Sequence, residues 1–145
     1  FKIGEVSVKA DKLIKTTYES MMKAINIVKD GIHLGDIGNT IQNHVEAQGF
    51  SVVQDFCGHG IGQTFHKEPN ILHYGTKGTG KKIKAGMIFT IEPMINLGNY
   101  ETKTLNDGWT AVTKDKSLSA QFEHTIGVTK EGCEIFTQSI ENYKI

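Results

Sequence analysis

Apolar residues recur at three- and four-residue steps near the start of the chain and alternate with polar ones further on. Across residues 10–30, Leu13, Ile14, Thr17, Met21, Ala24, Ile25 and Val28 fall on one face, which predicts an amphipathic helix. Asp11 is its expected N-cap and Gly31 its expected stop. Residues 34–48 read as a second, shorter helix with Ile37, Ile41 and Val45 inward and Gly49 at its end. Residues 1–8 alternate loosely and predict one or two short strands, and Ser51-Val52-Val53 predicts another. Residues 67–84 carry Pro69, Gly75, Gly78 and Gly80 and read as an irregular loop. Residues 87–92 predict a strand stopped by Pro93. Asn106-Asp107-Gly108 marks a tight turn. Residues 121–128 predict a strand that Lys130-Glu131-Gly132 turns into a second one over 133–137. Two helices followed by strands predict an α+β fold, with the helices on one face of a mainly antiparallel sheet.

The same alternation places two carboxylates on core strands. Met87, Phe89 and Ile91 share one face; Ile88, Thr90 and Glu92 share the other. Gln121, Glu123 and Thr125 likewise lie opposite Phe122, His124 and Ile126. If the two strands are neighbours, the carboxylates come within about 5 Å. One must then take up a proton, unless a cation neutralises both. A third group stands in Phe56-Cys57-Gly58-His59-Gly60-Ile61-Gly62, followed by Phe65-His66. The glycines place His59 at a strand-to-loop exit and let other groups approach it, a setting for a metal ligand or a base. One imidazole and two carboxylates make a donor set for Mn, Fe, Co or Zn. The competing reading is a Gly-rich turn and two edge-strand charges. Cys57, two residues from His59, raises a thiol nucleophile, but nothing in the spacing orients that pair. His33 and His44 read as structural, and His124 as facing away from Glu123. If the glycine loop folds back, His66 is a hydrogen-bond donor to a substrate; His73 has no assignment.

Composition narrows the classes. A length of 145 residues fits one domain with a real core. Net charge is zero and all 16 basic residues are Lys. The guanidinium fork used for phosphate and base recognition is therefore missing, and Lys81, Lys82 and Lys84 form the only tight basic cluster, so DNA is not an expected partner. No apolar run approaches the ~20 residues that span a bilayer, so no membrane is expected. Cys57 and Cys133 form no CxxC pair, which fits free thiols in a reducing, cytoplasmic setting. The chain opens on Phe1 and not on Met, as expected of a segment of a longer polypeptide.

Several stretches together resemble type I methionine aminopeptidases. They are Cys57-Gly58-His59-Gly60-Ile61-Gly62 with Phe65-His66, Pro69, Ile71 and His73-Tyr74; Phe89-Thr90-Ile91-Glu92-Pro93; Asp107-Gly108-Trp109-Thr110; and Ser117 to Thr125 through Gln121-Phe122-Glu123-His124. The likeness runs in order along the whole chain. The short interval between His66 and Glu92 resembles type I and not type II, which carries a long insertion there. Prolidase-like relatives share the carboxylates but not the wording of the His loop. The resemblance implies the pita-bread fold: two related αβ halves around a curved antiparallel sheet, with two divalent metal ions between them. It implies removal of the initiator methionine from nascent polypeptides, a metal-activated hydroxide attacking the scissile carbonyl. By position, His59 and Glu92 would bind one metal, with Glu123 bridging both. Glu92 would also carry a proton to the leaving amine, and His66 would donate to the substrate. Phe65 and Trp109 would line the methionine pocket. The N-terminal Met of nascent chains, and possible contact with the ribosome, are the partners so implied, with a monomer at full length. The family has five protein ligands, and two are aspartates from the preceding half. Asp11, Asp30, Asp36 and Asp55 match neither. The chain is therefore expected to be the C-terminal part of a catalytic domain, inactive alone. Two rivals remain: a non-catalytic binding module on the same fold, and a dinuclear peptidase cleaving X-Pro bonds.

Overall fold

A computed structural model describes residues 2–139. Helix α1 (Val8–Ile27) and helix α2 (Leu34–Glu46) come first, as the three- and four-residue steps require. No strand precedes α1 in the described residues, and Phe1, included in that expectation, lies outside them. Ser7, not Asp11, caps α1: its hydroxyl accepts from the Ala10 N–H at 3.2 Å. Asp11 sits in the first turn, where a carboxylate suits the helix dipole, and pairs with Lys2 at 2.7 Å. The helix ends earlier than expected because Val28 turns extended and buries its side chain. Gly31, at φ +90°, serves the following turn. His33 precedes α2 as its cap residue, a structural role; its N–H donates to the Asp36 carboxylate at 2.8 Å.

Ten short strands follow, and all their pairings are antiparallel. They are β1 (Ser51–Val52), β2 (Gly58–Gly60), β3 (Lys67–Ile71), β4 (Ile88–Ile91), β5 (Met94–Asn96), β6 (Thr102–Thr104), β7 (Ala111–Thr113), β8 (Ser119–Gln121), β9 (His124–Val128) and β10 (Cys133–Ile135). One sheet has five strands in the order β10-β9-β4-β2-β3, another has three in the order β1-β5-β8, and β6-β7 is a separate hairpin. Both expected turns close hairpins, at Asn106-Asp107-Gly108 and at Lys130-Glu131-Gly132. The expected α+β arrangement is therefore present, with both helices against one side of the sheets.

Three strand expectations change. Residues 67–71, read as loop, form β3; its Pro69 is tolerated because β3 is an edge strand. Pro93 stops β4 as expected, but a further strand starts directly after it, so that β4 belongs to the five-stranded sheet and β5 to the three-stranded one. The strand expected over 121–128 breaks at Phe122-Glu123 into β8 and β9. Ile91 pairs with His124 and Met94 with Gln121, so one register runs through both breaks. Glu92 and Glu123 consequently lie opposite one another, each at the point where its strand changes sheet.

The core lies between the helices and these strands. Leu13, Met21, Ile25, Ile37, Ile41 and Val45 from the helices meet Val52, Ile71, Phe89, Ile91, Ile95 and Ile126 from the strands. Burying each such side chain stabilises the fold by roughly 1.5–3 kcal/mol relative to exposing it. Phe89 and Ile91 point into this core, so the alternate positions Thr90 and Glu92 are turned to the other face.

Candidate active site

The opposite face of the five-stranded sheet gathers the three donors. One ligand atom each from His59, Glu92 and Glu123 lie within 4.8 Å of one another. His59 is not at a strand exit but inside β2, between β3 and β4. Its flanking glycines serve close approach and not turning. A Cβ on Gly60 would stand 2.5 Å from the Glu68 carbonyl oxygen, and one on Gly58 would collide with the Thr90 carbonyl. Three backbones are thus pressed together around one imidazole.

The imidazole is oriented on both sides. Nδ1 lies 3.0 Å from the Gly60 carbonyl. A carbonyl only accepts, so Nδ1 carries the proton and Nε2 keeps its lone pair. Nε2 faces Glu92 Oε1 at 3.8 Å. Thr90, fully buried, joins the two residues: its hydroxyl accepts from the His59 N–H at 2.9 Å and donates to Glu92 Oε1 at 2.7 Å. Gln121 reaches the Glu92 carbonyl at 3.3 Å from the facing strand. Burial pushes the Glu92 carboxyl up from its ordinary range; the Thr90 hydrogen bond opposes this, and the Glu123 charge adds to it. A lone pair and two carboxylates face one another here. A divalent cation fits this set, because it neutralises both carboxylates and accepts from the imidazole nitrogen.

Other histidines divide by contact. The loop after β2 folds back, so that the His66 ring sits edge-on to His59 with centroids 4.3 Å apart. Phe65 packs on both rings, 5.2 Å from His59 and 4.7 Å from His66, while remaining 67% exposed. His66 is outside the converging donor set among the described residues. His124 turns away from Glu123 toward Thr137, with Nδ1 2.9 Å from the threonine hydroxyl, and burial lowers its pKa. His44 stands between the helices, 3.4 Å from Glu19, as a structural residue would. Cys57 is a poor nucleophile: burial, then the charges of Glu92 and Glu68, push its thiol up. Trp109 stands at the tip of the β6–β7 hairpin, 90% exposed, and among the described residues no aromatic contact joins it to Phe65 or His66. A cleft of about 490 Å³ beside that hairpin is lined by Val53, Phe56, Met94, Asn96 and Val112, and by none of the three donors.

Two contributors escape sequence reasoning. Thr90 was legible only as a neighbour on the Glu92 face. His73, unassigned from sequence, is 2% exposed, and its Nε2 accepts the Glu92 N–H at 3.0 Å. Burial pushes its pKa down to about 3. The signal available for it was a lone histidine after an apolar pair, Ile71-Leu72, which is a weak one.

Among the described residues no helix is long and apolar enough to cross a membrane. The metallopeptidase family M24 pattern matches residues 1–130. Methionine aminopeptidase of Rickettsia prowazekii is 58% identical over 140 residues, covering 96% of this chain and 54% of that protein. The crystal structure of methionine aminopeptidase from Thermotoga maritima superposes with a TM-score of 0.94 at 45% identity, over 96% of this chain and 56% of that one. Prolidase from Pyrococcus furiosus, at 21% identity and a TM-score of 0.71 over 97% of this chain and 36% of that one, shares the pita-bread fold. The chain spans about half the length of the curated relatives it matches. With a match over nearly its whole length and a histidine–dicarboxylate cluster on the sheet, the chain belongs to metallopeptidase family M24.

Proposed function

We propose that the polypeptide carrying this chain is a metal-dependent aminopeptidase that removes the N-terminal methionine from nascent chains in the cytoplasm, beside the ribosome. The convergence of His59, Glu92 and Glu123 carries this reading. The relatives named methionine aminopeptidases, at 54–58% identity, supply the substrate. His59 and Glu92 would hold one divalent ion, and Glu123 would be a ligand shared with a second. Two aspartates from the remaining half of the catalytic domain complete the set. Bound ions of this kind make water nucleophilic at neutral pH and offset charge that develops on a carbonyl oxygen.

The residues of this chain do the rest. Glu92 takes the proton of the attacking water and passes it to the leaving amine. His66, poised over His59, donates a hydrogen bond to the scissile carbonyl oxygen as charge grows there. Phe65, largely exposed beside these rings, offers an aromatic face to the methionine thioether, and Trp109, by the likeness to methionine aminopeptidases, would line the same pocket.

The test uses the full-length polypeptide, stripped with a chelator and reloaded with Mn, Co, Fe or Zn. Free methionine should be released from Met-Ala-Ser only after reloading, while Ala-Pro stays intact. No methionine release with any of the four metals, or efficient cleavage of Ala-Pro, would overturn the reading.

A further inference from the structure

We infer that His73 is the positioning residue that holds Glu92 in ligand geometry. It rests on the reading of Glu92 as a metal ligand. At the break between β4 and β5, Glu92 leaves the strand ladder, and the next residue, Pro93, has no N–H. The Glu92 N–H is therefore the last donor before the break, and it goes to an imidazole: His73 Nε2, at 3.0 Å. An amide N–H only donates, so Nε2 is the acceptor and the ring carries its proton on Nδ1.

The place of His73 in the chain gives this bond its consequence. It follows β3 by two residues, and β3 pairs with β2 at Ile71↔Gly58 and Asn70↔His59. The ring thus ties the strand that registers His59 to the main chain of Glu92. Two donors from separate segments are set at a common distance by one buried side chain. A histidine that merely filled space could be replaced by a hydrophobe of its volume. An imidazole at 2% exposure instead carries a desolvation penalty that its hydrogen bond must offset. Without the acceptor, the Glu92 N–H is orphaned at a point with no ladder to hold it. The carboxylate then drifts from His59 Nε2, now 3.8 Å away.

Gln and Met test this as a pair, being similar in length and volume; only Gln has a strong acceptor. In the full-length polypeptide, Mn(II) affinity is measured by calorimetry and the Co(II) visible spectrum records ligand geometry. His73→Met should weaken Mn(II) binding by about 10-fold or more and alter the spectrum, while His73→Gln stays within about threefold of the parent, as expected when a group supporting a ligand is lost or kept. Should His73→Met fail to fold, His73→Asn, whose shorter amide falls short of the Glu92 N–H, takes its place against Gln. Equal Mn(II) affinity and spectra in the acceptor and non-acceptor variants would overturn the inference. Glu92→Ala is the control: if it alone loses Mn(II), only the role of His73 falls, and if it binds as the parent does, the metal-centre reading itself falls.

Discussion

His66 and His59 are seven residues apart and meet edge to face, yet their nitrogens have different surroundings. His59 is locked by the Gly60 carbonyl and turned to the carboxylates; His66 is exposed above it. His66→Ala should therefore lower turnover by orders of magnitude while metal content, read by atomic absorption, stays at the parent level. Metal lost with the side chain would place His66 among the ligands. Thr90 makes a different prediction. Its hydroxyl is the main influence holding the Glu92 carboxyl down against burial. Thr90→Val removes it, so Glu92 binds its proton more tightly and competes longer with metal. Mn(II) binding, followed as pH falls, should then be lost at a higher pH than in the parent. The fold should also lose stability, because the His59 N–H is left unpaired at about 1–3 kcal/mol. An unchanged acid limb would show that Thr90 does not set the affinity of Glu92 for protons. The three donors were visible in the sequence because strand alternation and neighbouring glycines are local signals. Thr90 and His73 act across strands, through contacts 31 and 19 residues apart in the chain, which no local pattern carries.

At the scale of elements, the long helices were legible and two strands of poor strand composition were not. β2 is Gly-His-Gly and β3 contains Pro69, so neither has strand composition. Both exist because the sheet provides partners, β4 on one side of β2 and β3 on the other. The stop at Pro93 was legible, but the new strand beyond it and the break at Phe122-Glu123 were hidden because alternation runs on through the change of sheet. Gly60→Ala probes this crowding. Its Cβ would meet the backbone oxygen of Glu68, which no rotamer change relieves. The substitution should destabilise the fold by about 1–3 kcal/mol, the usual range for overpacking, and weaken metal binding by displacing His59. A parent-like melting temperature and affinity would mean that β2 and β3 separate freely. Asp36 tests the entry of α2. Burial alone would raise its pKa, but the N–H groups of His33 and Gly78 bind the carboxylate at 2.8 and 2.7 Å and bring it below the usual value. A carboxylate lowered in the folded state stabilises it above the ordinary Asp range and loses this as pH falls through the folded value. Asp36→Ala should thus cost about 1 kcal/mol at pH 7, as lost caps do. Denaturant melts should show the gap to the parent closing as pH falls through the lowered folded value, where the Asp of the parent takes up its proton. A gap that persists there would assign the loss to packing.

At the scale of the molecule, the described residues offer three protein donors on an open face. Phe65, packed on the His59 and His66 rings, is 67% exposed there, and the cleft beside the hairpin excludes the donors. The matched relatives are about twice this length. One imidazole and two carboxylates can hold a single divalent ion with solvent at its remaining positions. On the proposed reading a second ion would rest mainly on Glu123, because its other ligands would be aspartates outside these 145 residues. A polypeptide of residues 1–145 by itself should therefore bind at most one Mn(II) per chain and release no methionine from Met-Ala-Ser. It should also self-associate through its uncovered apolar surface, seen as concentration-dependent mass in sedimentation. Supplying the rest of the catalytic domain as a separate chain should restore the second ion and methionine release together, since both depend on the same added carboxylates. Calorimetric titration beside the peptide assay decides it: two tight Mn(II) sites and normal turnover from the 145 residues alone would mean that the second metal's ligands lie within this chain.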